Sequence, residues 1–181
     1  ATDSQGATAT QLVTITITGT NDAPVISVGD GDSAADSLEE TDAGLATSGT
    51  LSVADADLSD EVTAAVTGVV ASGDTAGAPD ATTLQAMLAV TGGIAAGDDS
   101  GTLNWVFDSD GEAFDYLAVD ESLVLTYTLT ATDSQGATAT QLVTITITGT
   151  NDAPVISAAD DSGAVTEDSD VDAGNLSDSG T

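Results

Sequence analysis

The 181-residue chain has no lysine, arginine, histidine or cysteine. Without cysteine there are no disulfides, thiolate zinc sites or iron–sulfur clusters. Without the basic residues, no Ser-His-Asp triad, Schiff-base lysine, arginine finger or P-loop lysine can be assembled. Aromatic residues make up only 3% of the chain, and no apolar run is long enough to span a bilayer as a helix. The 31 acidic residues therefore have no opposing charge, and the formal net charge is -31. Such a surface repels phosphate backbones and anionic headgroups, which argues against nucleic acid and basic-patch membrane attachment as partners. No enzymatic activity is expected: glycoside hydrolysis by two carboxylates needs a shaped cleft and one acid of raised pKa, and the sequence marks neither.

The chain is nonetheless 40% hydrophobic, enough to bury a core. Self-repulsion opposes that core, so the compact form is expected to need salt or bound divalent cations. Residues 1–27 recur unchanged as residues 131–157. The chain opens on Ala1-Thr2-Asp3, with neither an initiator methionine nor a secretory leader pattern, and reads as a window on a tandem array. The expected division is the last strand of a preceding repeat plus linker at 1–23, a complete repeat at 24–153, and the start of another at 154–181.

Period-2 alternation of apolar residues with threonine and valine predicts an all-β chain. Val143, Ile145 and Ile147 share one strand face; Leu123, Leu125, Tyr127 and Leu129 share another, with Asp133-Ser134-Gln135-Gly136 as the hairpin loop between them. Further strands are expected at 25–28, 49–54, 62–70, 87–90 and 102–107, with Trp105, Phe107 and Tyr127 in the core. Residues 29–36, 72–80 and 92–101 read as Gly/Asp loops. A short helix is expected at 112–117, and 84–89 is open between helix and strand. About seven strands read as an antiparallel β-sandwich of two sheets.

Hard-cation chemistry survives the exclusions, because calcium takes carboxylate and carbonyl oxygens. Asn21 and Asp22 lie in the linker Gly19 to Pro24, repeated as Asn151 and Asp152. In a seven-strand sandwich, loops carrying Asp55, Asp57 and Asp133 fall beside the chain's entry, near Asn21 and Asp22. The opposite end is expected to gather Glu39, Glu40, Asp120 and Glu121 near Asn151 and Asp152. Asp108 and Asp110 stand at alternate positions before Gly111, like the opening of an EF-hand loop whose remaining ligand pattern is missing; the plainer reading is a turn with Asp110 as helix N-cap. Asp98, Asp99, Asp160 and Asp161 read as solubilising charge.

Val119-Asp120-Glu121, Tyr127-Thr128-Leu129, Ala131-Thr132-Asp133, Asp55-Ala56-Asp57 and Asn21-Asp22-Ala23-Pro24 resemble the cadherin repeat. The run TDSQGATAT followed by VTITITGTNDAPV is most similar to the VCBS-type, cadherin-like repeats of giant bacterial RTX adhesins, and the resemblance covers essentially all of the chain. It implies an Ig-like or cadherin-like sandwich, Ca2+ at the junctions with neighbouring repeats of the same chain, type I secretion, and an extracellular location on a Gram-negative surface. The implied role is a spacer that projects an adhesive tip for attachment or biofilm formation; the alternative is a repeat that itself binds a glycan or protein ligand. Residues 7–18 duplicate a last strand without a visible sheet. They are expected either to dock on a second molecule or to displace residues 137–148 in a swap.

Overall fold

A computed structural model describes residues 1–154 and, beyond them, the backbone of two short strands. Eight strands build the main sheet: β1 (Val25–Ser27), β2 (Ala35–Glu39), β3 (Ala46–Ala54), β4 (Val62–Gly73), β5 (Leu88–Ile94), β6 (Ser100–Asp108), β7 (Ser122–Thr132) and β8 (Thr138–Thr148). One helical turn, α1 (Ala81–Ala86), precedes β5, and β9 (Val171–Asp172) pairs antiparallel with β10 (Asn175–Leu176). The chain divides into two compact units, Ala1–Thr150 and Asn151–Thr181. The expected start of a further repeat, with Asp160 and Asp161, lies outside the described residues apart from β9 and β10.

Strand order in the first unit is β1-β3-β6-β5-β4-β7-β8-β2. Only two residue pairs, Val62↔Ile94 and Thr63↔Gly93, join β4 to β5. The ladder turns over at this weak step, so that β1-β3-β6-β5 forms one layer and β4-β7-β8-β2 the other. β1 and β2 are two halves of one edge segment: β1 pairs antiparallel with β3, then the chain crosses to run parallel with β8 as β2. In chain order this is the A-B-E-D layer facing C-F-G of an immunoglobulin-like sandwich, with a split first strand. β1 covers Ser52–Ala54 of β3 and β2 covers Thr144–Thr148 of β8, so the split first strand closes only part of each of these two edges.

Alternation decides which side chains are inside. Along β7 the odd positions Leu123, Leu125, Tyr127, Leu129 and Ala131 are buried while the threonines between them are half-exposed. Val143, Ile145 and Ile147 of β8 face the same core as Leu51 and Val53 of β3 and Leu103, Trp105 and Phe107 of β6. Burying a side chain of this size stabilises by about 1.5–3 kcal/mol against leaving it in water. The Trp105 indole N–H donates to the Ser33 carbonyl at 2.7 Å, and the Tyr127 hydroxyl donates to the Leu84 carbonyl at 2.9 Å, so both large polar-tipped side chains are satisfied.

Several local expectations are corrected. No helix forms at 112–117; Phe114 has φ +66, which no right-handed helix accommodates, and Leu117 N–H closes a turn on Phe114 O. The helix is instead 81–86, capped by Asp80, whose carboxylate accepts from Thr82 N at 2.8 Å and Thr83 N at 3.1 Å. The expected 29–36 loop ends in β2, a strand with little apolar alternation, held by its parallel pairing to β8. The 92–101 loop is shorter than expected, because β5 runs to Ile94 and β6 begins at Ser100.

The duplicated segments fold alike only where the structure is local. In both, an aspartate caps the hairpin turn: Asp3 Oδ1 accepts from Gln5 N and Ala7 N at 3.0 and 2.8 Å, and Asp133 Oδ1 from Gln135 N and Ala137 N at 2.9 and 2.8 Å. Gly6 and Gly136 adopt φ +89 and +90, the left-handed turn position glycine supplies. Residues 138–148 then continue as β8, whereas 10–20 stay outside any strand.

Gly49 of β3 lies beneath the Trp105 ring, where an added Cβ would stand 2.4 Å from Cζ2. Gly49→Ala is expected to destabilise the unit by about 1–3 kcal/mol through overpacking, read by urea unfolding monitored on the single tryptophan's fluorescence.

Candidate metal centre

Three acidic side chains converge at the end of the sandwich where the chain enters. Asp55 follows the last residue of β3, Asp60 stands two residues before β4, and Asp133 leads the β7–β8 hairpin. All three are buried, with exposures of 5%, 1% and 6%, and one carboxylate oxygen from each lies within 4.8 Å of the others. Local turns set them there. Asp55 Oδ1 accepts from Asp57 N at 2.9 Å, and Asp60 N donates to Asp57 O at 2.9 Å, folding the 55–60 segment back on itself. Gln135 Nε2 reaches across from the hairpin to Asp60 Oδ1 at 2.7 Å.

The second oxygens of Asp55 and Asp60 are buried without a hydrogen-bond partner among the described residues. A buried carboxylate oxygen left unpaired costs stability, and three negative charges within this distance repel by on the order of 3–4 kcal/mol per pair at an effective dielectric of 20. Nothing cationic in the side-chain inventory can offset them. Orphaned hard oxygens, clustered and shielded from water, match the donor set that calcium takes.

Asp133 is held as a carboxylate. Its pKa lies below the ordinary 3.8, chiefly because Asn21 Nδ2 donates to Oδ2 at 2.9 Å, helped by the backbone N–H groups of Ala137, Gln135 and Gly136, against a smaller desolvation cost. Asn21 thereby ties the incoming chain to the cluster. Asp22 N donates to Asp57 Oδ2 at 2.7 Å, a second tie. Asp57 itself is not one of the three converging residues; its carboxylate faces Asp22. Asp60, which sequence reasoning did not single out, completes the cluster. Its only sequence signal was a third aspartate in the same short loop as Asp55 and Asp57.

At the other end, Glu40 is buried at 1% exposure; its Oε1 accepts from Thr150 N at 2.7 Å and Thr150 Oγ1 at 2.5 Å, while Oε2 has no hydrogen-bond partner among the described residues. A carboxylate oxygen of Asp115, an exposed residue, lies within 4.8 Å of one from Glu40. Glu39 is exposed at the end of β2, alternating away from Glu40. Asp120 is exposed with φ +70, and Glu121 Oε2 accepts from Ala118 N at 3.0 Å within its own turn. Asp108 and Asp110 are exposed, with Asp110 N donating to Asp108 Oδ1 at 2.9 Å. Asn151 and Asp152 belong to the second unit, where Asn151 Nδ2 donates to Asp152 O at 3.3 Å.

No family model and no curated protein matches the chain. Among solved structures, it is similar to the CooA pilin subunit from enterotoxigenic Escherichia coli at 13% identity and TM-score 0.42, covering 71% of this chain and 99% of that one. It is similar to PapD-like domain 7 of human CEP192 at 10% identity and TM-score 0.41, covering 79% and 96%. AggA, the major subunit of aggregative adherence fimbriae type I from Escherichia coli, follows at 10% identity and TM-score 0.36, covering 74% and 99%. With likeness this distant, the immunoglobulin-like assignment stands on the strand order itself.

The cluster predicts a sign reversal. Asp60→Asn removes one repelling charge, so it should stabilise the metal-free protein by about 1–3 kcal/mol and weaken the stabilisation that added calcium provides, both read by thermal melts in chelator and in calcium. A separate expectation concerns acid. Because the folded pKa of Asp133 is depressed, its contribution is present above the unfolded value of 3.8 and is lost as pH falls through the folded pKa. Asn21→Ala should lessen that loss in melts recorded below pH 4.

Proposed function

We propose that this chain is a calcium-stabilised spacer repeat of a secreted bacterial cell-surface adhesin, of the VCBS-type, cadherin-like kind. The observation that carries the reading is the buried Asp55–Asp60–Asp133 cluster with two orphaned carboxylate oxygens in a chain without any basic side chain. When bound, calcium supplies the positive charge that the side-chain inventory lacks. Asp55, Asp60 and Asp133 would hold it, and Asn21 and Asp22 fasten the incoming linker to the same loops.

The protein's own residues account for the mechanical part. Residues 21–24 are the only chain leading into β1, and Pro24 is buried, so the ties from Asn21 and Asp22 fix where the preceding segment enters. Glu40 does the same for the exit, clasping both donors of Thr150 just after β8. A unit held at entry and exit transmits force along β8, an 11-residue strand about 36 Å long, instead of bending at its ends. Sequence repetition at 1–27 and 131–157 supports the same unit recurring along a longer filament.

In low calcium the repelling carboxylates favour the open chain, a form suited to export through a channel; in millimolar calcium, binding free energy becomes folding free energy. Saturating calcium at about one hundred times its dissociation constant is expected to add about 2.7 kcal/mol, raising the melting temperature by about 5–11 °C for a unit of this size. Differential scanning calorimetry in calcium and in excess chelator checks this, with small-angle scattering on the same samples. Unchanged melting and unchanged dimensions on chelation would overturn the reading.

A further inference from the structure

The outer side of β4, β7 and β8 is free of charge. None of the 31 acidic residues falls in these three strands, although the loops at both of their ends are acidic, with Glu61 and Asp133 at one and Asp74 and Glu121 at the other. Alternation puts Val124, Thr126 and Thr128 of β7 on the solvent side, and register sets Thr146, Thr144 and Leu142 of β8 beside them. Val70 of β4 stands next to Thr126. Val70 and Leu142, on either side of this patch, are 66% and 52% exposed. In the adjoining β2, Asp36 alternates to the opposite side beside Ile145, and Glu39 stands beside Thr148 at the corner of the layer.

The other layer differs. On the outer side of β3 the Asp32 carboxylate accepts from Thr50 Oγ1 at 2.7 Å and from Ser52 Oγ at 2.8 Å, and β6 ends on the exposed Asp108. A molecule without basic side chains cannot meet its own copy through complementary charge, and like charges set against each other cost several kcal/mol. Copies can therefore approach only where charge is missing on both sides. The β4-β7-β8 face meets that condition, and the acidic poles do not.

The same face suits a second copy better than another neutral surface. Sheets twist by about 20–25° per strand, so this one matches a partner sheet of equal twist, with strands about 30° apart, and not a flat lattice. Tyr127 is the one aromatic residue in β4, β7 and β8, and it is buried in the core, so no ring is offered to a sugar. Three strands about 36 Å long and about 4.8 Å apart present roughly 500 Å² per copy, or about 1,000 Å² in all, the lower bound for a specific interface.

We infer that two copies of this chain pack face to face through β4, β7 and β8 as a reversible dimer. The contact buries Val70, Val124 and Leu142 among threonine methyl groups. Hydroxyls in such a face pair with one another, as Thr67 Oγ1 and Thr130 Oγ1 already do at 2.8 Å within one molecule. Repulsion between the acidic poles opposes the dimer, and salt relieves it: the screening length falls from about 10 Å at 0.1 M to about 3 Å at 1 M. The inference does not rest on the calcium reading.

Sedimentation velocity of the whole chain over a concentration series, at fixed calcium in 0.1 M and 1 M sodium chloride, tests it. Mean mass should approach twice 17.6 kDa in the higher salt. Val70→Asp/Leu142→Asp changes two exposed side chains of the face and should stay at the monomer mass at both salt concentrations. Thr102→Asp/Asn104→Asp adds the same charge at exposed positions on the outer side of β6 and should associate like the parent chain. Thermal melts check that each variant is folded, and Val70→Asp alone repeats the test if the double variant melts early. A parent chain that is monomeric at both salt concentrations, or equal association of the Val70/Leu142 variant, would overturn the inference. So would loss of association in the Thr102/Asn104 variant, because added charge anywhere would then suffice. Retention of a monomeric parent on neutral polysaccharide beads, lost in the Val70/Leu142 variant, would give the face to a glycan instead.

Discussion

Like-charge repulsion without any basic side chain to answer it is the constraint on which this molecule turns. An ordinary acidic loop holds its aspartates apart in water, where a pair costs about 1 kcal/mol at 4 Å. Here the β3–β4 and β7–β8 loops press three of them together under cover, where the same pair costs several times more. Backbone and amide donors answer one oxygen each of Asp55 and Asp60 and both oxygens of Asp133, leaving two oxygens directed at no donor. Under the proposed calcium reading, an external cation would offset this desolvation and repulsion, and stability would follow the ion content of the surroundings.

The sandwich positions this chemistry without taking part in it. The core is apolar, and the indole of Trp105 and the hydroxyl of Tyr127 within it are satisfied, while the Tyr116 hydroxyl at its margin is buried without a hydrogen-bond partner among the described residues. The split first strand carries the chain from entry at Asn21 to Glu40 at the opposite pole within the span of β1 and β2. Each pole therefore binds a terminus of the unit through a buried carboxylate: Asp133 receives Asn21 and Glu40 receives Thr150. That symmetry of function between the two ends is what a repeating spacer requires.

The two copies of one sequence mark the boundary of what could be read without a structure. The aspartate-capped turn forms at both sites, because all its hydrogen bonds lie within five residues. The strand that follows forms only where β7 is there to receive it. Other elements divide along the same line. β7 and β8 were legible from their alternation, and the gathering of Asp55 and Asp133 followed from which end each loop occupies. β2 was hidden because Ala35 to Glu39 has almost no apolar pattern and owes its shape to a neighbour distant in sequence. The turn at 112–117 looked helical by spacing, but Phe114 takes a left-handed conformation that lets its ring reach the core. Asp60's place in the acidic cluster was not legible, because it is set by contacts distant in sequence, among them the hydrogen bond from Gln135 of the β7–β8 hairpin.

The most direct test of the central claim is a crystal structure grown in calcium, with anomalous scattering used to locate ions. The account predicts an anomalous peak about 2.3–2.6 Å from carboxylate oxygens of Asp55, Asp60 and Asp133. Carboxylates in the same positions with no such peak, bridged to one another by shared protons or by water alone, would contradict it.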